Sequence, residues 1–202
     1  MPYVMFYPGN APTPTTNPQD GTLSVTVSMS VVLTNSGKPT ADMVGLERDN
    51  GGHRYVLIVI DVFSKYALSV PVKPKDGKSV RDAFKSVLRS PKVVRTSDPR
   101  KFERLQTDKG KEFFNREFTS LMTQNGIHHV ASVSDQKAAL VEWFNWTLKN
   151  RIWTYLSAKR TKKLIDALLT ILTSYNKSCQ YIIRISPNNV TKDDKDRIWV
   201  RL

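Results

Sequence analysis

RLQTDKGKEFF, residues 104–114, is the stretch on which the fold of this chain turns. An apolar strand, FERLQT, closes in Thr107-Asp108. The Lys109-Gly110-Lys111 turn then leads into NREFTSLMTQ, a helical pattern ended by Asn125-Gly126. A carboxylate is thereby expected at a strand tip, beside a glycine turn and a helix start. The strand IHHVAS follows.

Working outward, Met43–Leu46 reads as a short strand and ERDNGGHR as a turn centred on Asn-Gly. YVLIVIDVF is an apolar run of the kind covered on both faces, and YALSVPV is a third strand. In GKSVRDAFKSVLRS, Ser79 is the expected cap and Val80, Phe84, Val87 and Leu88 recur at helical spacing. Two long helices, at about 136–158 and 162–177, finish the domain. The order β-β-β-α-β-α-β-α-α predicts an α/β protein with a mixed sheet.

The 202 residues carry a net charge of +13. Lys38 and Asp20 are the only charges in residues 1–40, so the whole excess lies in 41–202 and favours a polyanionic partner. Residues 1–39 form a polar segment rich in Pro, Thr, Ser and Asn, expected to be disordered, although TLSVTVSMSVVL (22–33) alternates enough for a strand. Residues 40–191 are expected as one compact domain and 192–202 as the start of a truncated extension. A single Cys179 excludes an internal disulfide, and with three histidines no zinc finger of the usual spacing can form. No apolar run reaches the length of a membrane span, and no signal peptide is read at the start, so an intracellular protein without membrane contact is expected.

Asp42 in ADMVGL, Asp108, and Glu142 in DQKAALVEWFNWTLKN are the candidate catalytic and metal-binding carboxylates. Hard cations, Mg²⁺ or Mn²⁺, prefer such oxygens, and two ions about 4 Å apart can serve phosphoryl transfer. Asp61, inside an apolar strand, needs a partner such as Lys65 or a backbone donor and is the fallback first carboxylate. On the helix holding Glu142, core residues Val141, Phe144, Leu148, Ile152 and Tyr155 leave Asn145, Trp146 and Lys149 on an adjacent face expected to meet DNA. Lys109, Lys111, Arg151, Lys159, Arg160, Lys162 and Lys163 join them as expected DNA contacts. The bland readings are solvated helix faces and surface carboxylates. His128 and His129 alternate on a strand and are read as one exposed and one packed, and Cys179 as structural.

The runs IDVFSKYALSVPVKPKDGKSV, LQTDKGKEFFNREF, VEWFNWTLK, SYNKS and SPNNV together resemble the catalytic core of DDE-type integrases of retroviruses and eukaryotic mobile elements, over about residues 40–191. The resemblance implies an RNase H-like fold: a mixed five-stranded sheet flanked by helices, the first carboxylate on the first strand, the second at the end of the fourth, the third on a helix. It implies Asp42, Asp108 and Glu142 as the triad, the last two 34 positions apart, and two divalent ions supporting DNA end processing and strand transfer. It also implies a nuclear location, a DNA partner and homo-oligomers. The chain departs from such relatives in carrying Trp143 and Trp146 where Arg is usual and Gly45 in place of an acid. The triad argues for a polynucleotidyl transferase. The tryptophans argue for a remnant that binds nucleic acid without catalysis, and an RNase H-like nuclease is the third reading.

Overall fold

A computed structural model describes residues 24–30, 46–90, 104–131 and 135–201. The strands are β1 (Ser24–Ser30), β2 (Tyr55–Asp61), β3 (Ala67–Val72), β4 (Arg104–Thr107) and β5 (His128–Ala131). They form one sheet in the order β3-β2-β1-β4-β5. β1–β2 and β2–β3 are antiparallel, whereas β1–β4 and β4–β5 are parallel, so the sheet is mixed as expected. The helices are α1 (Leu46–Asp49), α2 (Gly77–Leu88), α3 (Arg116–Gln124), α4 (Asp135–Lys159), α5 (Leu164–Lys177) and α6 (Lys195–Trp199).

The central strand corrects the reading of the N-terminal segment. Ser24–Ser30 is a strand flanked on both sides, with Val25 opposite Asp61 on β2 and beside Leu105 on β4. Alternating Val25, Val27 and Met29 give this stretch strand propensity of their own, and the Pro- and Asn-rich flanks had obscured it. The short strand expected at Met43–Leu46 is not borne out at Leu46, which opens α1; residues 43–45 lie outside the described residues.

Helices cover both faces. Val56, Ile58 and Ile60 of β2 pack with Phe144, Leu148, Ile152 and Leu156 of α4 and Leu168, Ile171, Leu172 and Tyr175 of α5. The opposite face, Leu57, Val59 and Leu105, meets Val80, Phe84 and Val87 of α2 and Phe118, Leu121 and Met122 of α3. The alternation of β2 thus feeds two cores from one continuous apolar run. α2 is capped by Asp76 rather than Ser79: its carboxylate accepts from Ser79 N (2.8 Å) and Ser79 Oγ (3.1 Å). α3 begins at Asn115, whose side chain accepts from Phe118 N (2.9 Å), and ends before Gly126 at φ +65°.

Two buried asparagines tie distant elements together. Asn176 of α5 donates to Ala67 O (2.8 Å) and accepts from Ala67 N (2.9 Å), pairing with β3 as a neighbouring strand would. Asn50, expected only as a turn residue, donates to Lys162 O (2.8 Å) and accepts from Ile165 N (3.0 Å), holding the start of α5. Residues 192–201 fold as a short 3-10 turn and α6, with Ile198 fully buried. No helix among the described residues is long and apolar enough to cross a membrane.

Candidate active site

β4 delivers Asp108 to the carboxyl end of the sheet, the end at which open α/β sheets place their ligands. The side chain is exposed, and its Oδ1 accepts from Gly110 N (3.1 Å), which orients the carboxylate outward. The turn closes through Phe113 N and Phe114 N, both donating to Gly110 O (3.0 and 3.1 Å). The absent side chain at Gly110 leaves room for Glu112: a β-carbon there would lie 2.6 Å from the Glu112 carboxyl, which would have to shift. That carboxylate folds back over the turn, buried, and pairs with Lys75 Nζ at 2.7 Å. Sequence reasoning missed the Lys75–Glu112 pair because Lys75 is 37 positions upstream; only a strand-tip model would have brought them together.

Behind Asp108 lies a second anchor. Thr107, buried, donates Oγ1–H to Asp108 O (2.9 Å), which leaves the oxygen to accept from His129 Nε2–H (2.8 Å). His129 is the packed member of the histidine pair and His128 the exposed one, as alternation on β5 predicts. Burial holds the His129 pKa below the usual imidazole value. Its ring lies against Phe114 at 4.5 Å and 22° and meets Phe118 edge-on at 5.4 Å.

Asp61 does not share this edge. The register sets it abreast of Val25 and Leu105, three residues short of Asp108 and two strands away, about 14 Å at 3.3 Å per residue and 4.8 Å per strand. Its carboxylate is committed to the β2–β3 turn, accepting from Phe63 N (3.0 Å), Ser64 N (3.2 Å) and Ser64 Oγ. Burial raises its pKa, against the lowering by those donors. Asp61 is therefore a structural acid rather than the fallback first carboxylate. The reason is the strand direction: β2 runs antiparallel to β1, so its C-terminal residue points away from the tip of β4.

Asp42 lies outside the described residues. The described central strand carries no acid, and continuing its register with β4 sets Ser28 beside Asp108. Glu142 sits on α4, which starts four residues after β5 ends opposite Thr107. The side chains of Glu142 and Asn145 lie outside the described residues. On the same helix Trp146 is 57% exposed while Phe144 and Leu148 are buried, the facing expected from periodicity. Lys149 is half-buried, and Arg151 lies over the Tyr175 ring at 5.8 Å. Lys109, Lys111, Lys159, Arg160, Lys162 and Lys163 are exposed, with no ion pair among the described residues. They form two groups: Lys159 lies 17 residues beyond Glu142, about 25 Å along α4. Cys179 is exposed and free rather than packed into the core.

The model of the family described as integrase core domain matches residues 36–137. An uncharacterized transposon-derived protein of Caenorhabditis elegans is 28% identical over 148 residues, 73% of this chain. The chain spans about half the length of that curated relative, 49%. Among solved structures, the HTLV-2 integrase catalytic core in complex with magnesium, a trimeric form, is 22% identical with a TM-score of 0.52 over 66% of this chain and 81% of that one. The BIV integrase catalytic core is 16% identical, with a TM-score of 0.59 over 85% and 96%. A chain of the simian T-cell lymphotropic virus intasome is 17% identical, with a TM-score of 0.60 over 68% and 49%. Identities this low speak for the fold, which is the RNase H-like integrase core. Matched over half its length by that family's model, and similar in fold to viral integrase cores, the chain belongs to the integrase core domain family.

Proposed function

We propose that this chain is an integrase or transposase core that binds DNA and carries out metal-dependent end processing and strand transfer. The observation that carries the reading is Asp108: an exposed carboxylate at a strand tip, one oxygen oriented by Gly110 N–H, no protein cation paired with it among the described residues, and exposed Lys109 and Lys111 in the turn that follows. A hard oxygen donor so presented fits a divalent cation, Mg²⁺ or Mn²⁺. Asp108 and Glu142, with Asp42, would hold it, and when bound it supplies charge stabilisation and activates a water or a DNA 3′-hydroxyl. The chain's own part is positional. Thr107 and His129 fix the backbone of Asp108, Gly110 fixes its carboxylate, and Lys109, Lys111, Asn145, Trp146 and Lys149 offer the phosphate and sugar contacts that align the scissile strand. Action on chromosomal DNA implies a nuclear location, and joining paired ends implies self-association.

The test is Mn²⁺-dependent cleavage or joining of a labelled duplex by the full chain. Activity is expected in wild type and lost in Asp108→Asn, with Mn²⁺ affinity by calorimetry falling in Asp108→Asn and Glu142→Gln but kept in Asp61→Asn. Equal Mn²⁺ affinity in wild type and Asp108→Asn overturns the metal assignment. A second reading, DNA binding without catalysis, is favoured by the described central strand, Ser24–Ser30, which carries no acid. Duplex binding with no turnover in any divalent metal would select it.

A further inference from the structure

We propose that Phe114 and His129 form a stacking platform for an unpaired nucleobase next to the Asp108 tip; this rests on the DNA reading above and specifies the strand form it takes. Two adjacent phenylalanines are treated differently by the fold. Phe113 is fully buried, whereas Phe114 is 45% exposed, one of the few large apolar side chains so open among the described residues. Phe114 is nonetheless held flat. Its ring lies on the half-buried His129 ring at 4.5 Å and 22°, and His129 is fixed by Phe118 (5.4 Å) and by Thr107 Oγ1 (2.8 Å). A ring supported on one face presents a rigid π-surface on the other, the geometry on which bases stack without sequence preference.

Charge complementarity selects a nucleic acid over a protein as occupant. The acids nearest in sequence are already neutralised: Glu112 by Lys75 (2.7 Å) and Glu117 by Arg81 (2.9 Å). Lys109, Lys111 and Arg116 are exposed and form no ion pair among the described residues. An aromatic face with exposed cations two to five residues away in sequence suits a base and its flanking phosphates. The hydrogen bonds give the spacing: His129 Nε2 lies 2.8 Å from Thr107 Oγ1, which lies 2.9 Å from Asp108 O, so the platform adjoins the strand tip. Because a base inside a duplex hides its faces, the platform favours a frayed or single-stranded end over blunt duplex.

The experiment measures anisotropy of a labelled oligothymidylate and of a blunt duplex of equal length with the full chain. Phe114→Ala should weaken the oligothymidylate by roughly 5- to 150-fold and leave the duplex within about two-fold. Phe114→Trp should restore single-strand affinity and Phe114→Leu should not, since leucine keeps apolar area but has no π-face. Thermal melting confirms that each variant is folded, and Phe114→Trp keeps the comparison interpretable if the alanine variant is not. Unchanged oligothymidylate affinity in folded Phe114→Ala, equal losses on both probes, full rescue by leucine, or loss of a wild-type self-association in place of single-strand binding each overturn the platform. Failure of wild type to bind either probe overturns the DNA reading itself, so the two are told apart.

Discussion

Lys65 is an ammonium that the fold has shut in. It is 6% exposed, sits at φ +59° in the β2–β3 turn, and donates from Nζ to Val62 O at 2.7 Å. Burial brings its pKa down to about 8, with the Asp61 charge opposing the fall. The unfolded chain, near 10.5, then holds the proton more tightly than the folded one, so unfolding takes up a proton between pH about 8 and 10.5. Stability should therefore rise with pH across that window, by of order 1–3 kcal/mol. Lys65→Met should flatten the rise in urea midpoints, and an equal rise in both proteins would refute it. Trp146 is the opposite case, a large apolar side chain 57% exposed on α4. Its exposure removes the possibility that it is a core residue, so Trp146→Arg should leave the melting temperature unchanged. A guanidinium there can make the bidentate phosphate contact that an indole cannot, tightening duplex binding by about 1–2 kcal/mol at low salt. Unchanged affinity in a normally stable variant would mean this helix face does not meet DNA.

At the scale of elements, the informative contacts are those that substitute for secondary structure. Asn176 bonds both backbone groups of Ala67, so the side chain of α5 does for β3 what one more strand would do. Asn176→Ala would strand a buried N–H and a buried C=O, at about 1–3 kcal/mol each. We expect a loss of about 2–4 kcal/mol by chemical denaturation with the slope unchanged; a loss below about half a kcal/mol would show the edge solvates freely. Elements with strong local signals were readable from sequence: the apolar run of β2, the Asn115 and Gly126 boundaries of α3, and the 3.6-residue period of α4, which sets Phe144, Leu148 and Ile152 inward and Trp146 outward. What was not readable depended on neighbours. Strand β1 takes its central place from β2 and β4, and Ser79 yields the cap of α2 to Asp76, one turn earlier. The candidate site divides the same way. The Asp108 tip is written in Thr-Asp-Lys-Gly, but the Glu112 lid, the Thr107–His129 brace and the exclusion of Asp61 follow from pairing register and side-chain contacts across the fold.

For the molecule as a whole, charge is the property that links fold to partner. The described basic residues of 149–184 do not form a continuous belt around the Asp108 edge. Lys159, Arg160, Lys162 and Lys163 gather at the α4–α5 connection, about 25 Å along α4 from Glu142 and held there by Asn50 on Lys162 O and Ile165 N. They are exposed, and no ion pair engages them among the described residues. At 3.4 Å per base pair a duplex engaging both regions would span about seven base pairs. Each phosphate neutralised by this patch adds about −0.9 to the slope of log affinity against log salt, so changing all four to Gln should make the slope shallower by up to about 3.6. The distance also predicts what will not change: Mn²⁺ affinity should be unaffected, because these charges lie about 25 Å along α4 from Glu142, beyond the Debye length at physiological salt. Anisotropy of a labelled duplex across a salt series and calorimetry on the same variant test both halves. A slope unaltered by the four changes would mean the duplex does not reach the α4–α5 connection, and a fall in Mn²⁺ affinity would mean that the patch and the β4 tip belong to one site.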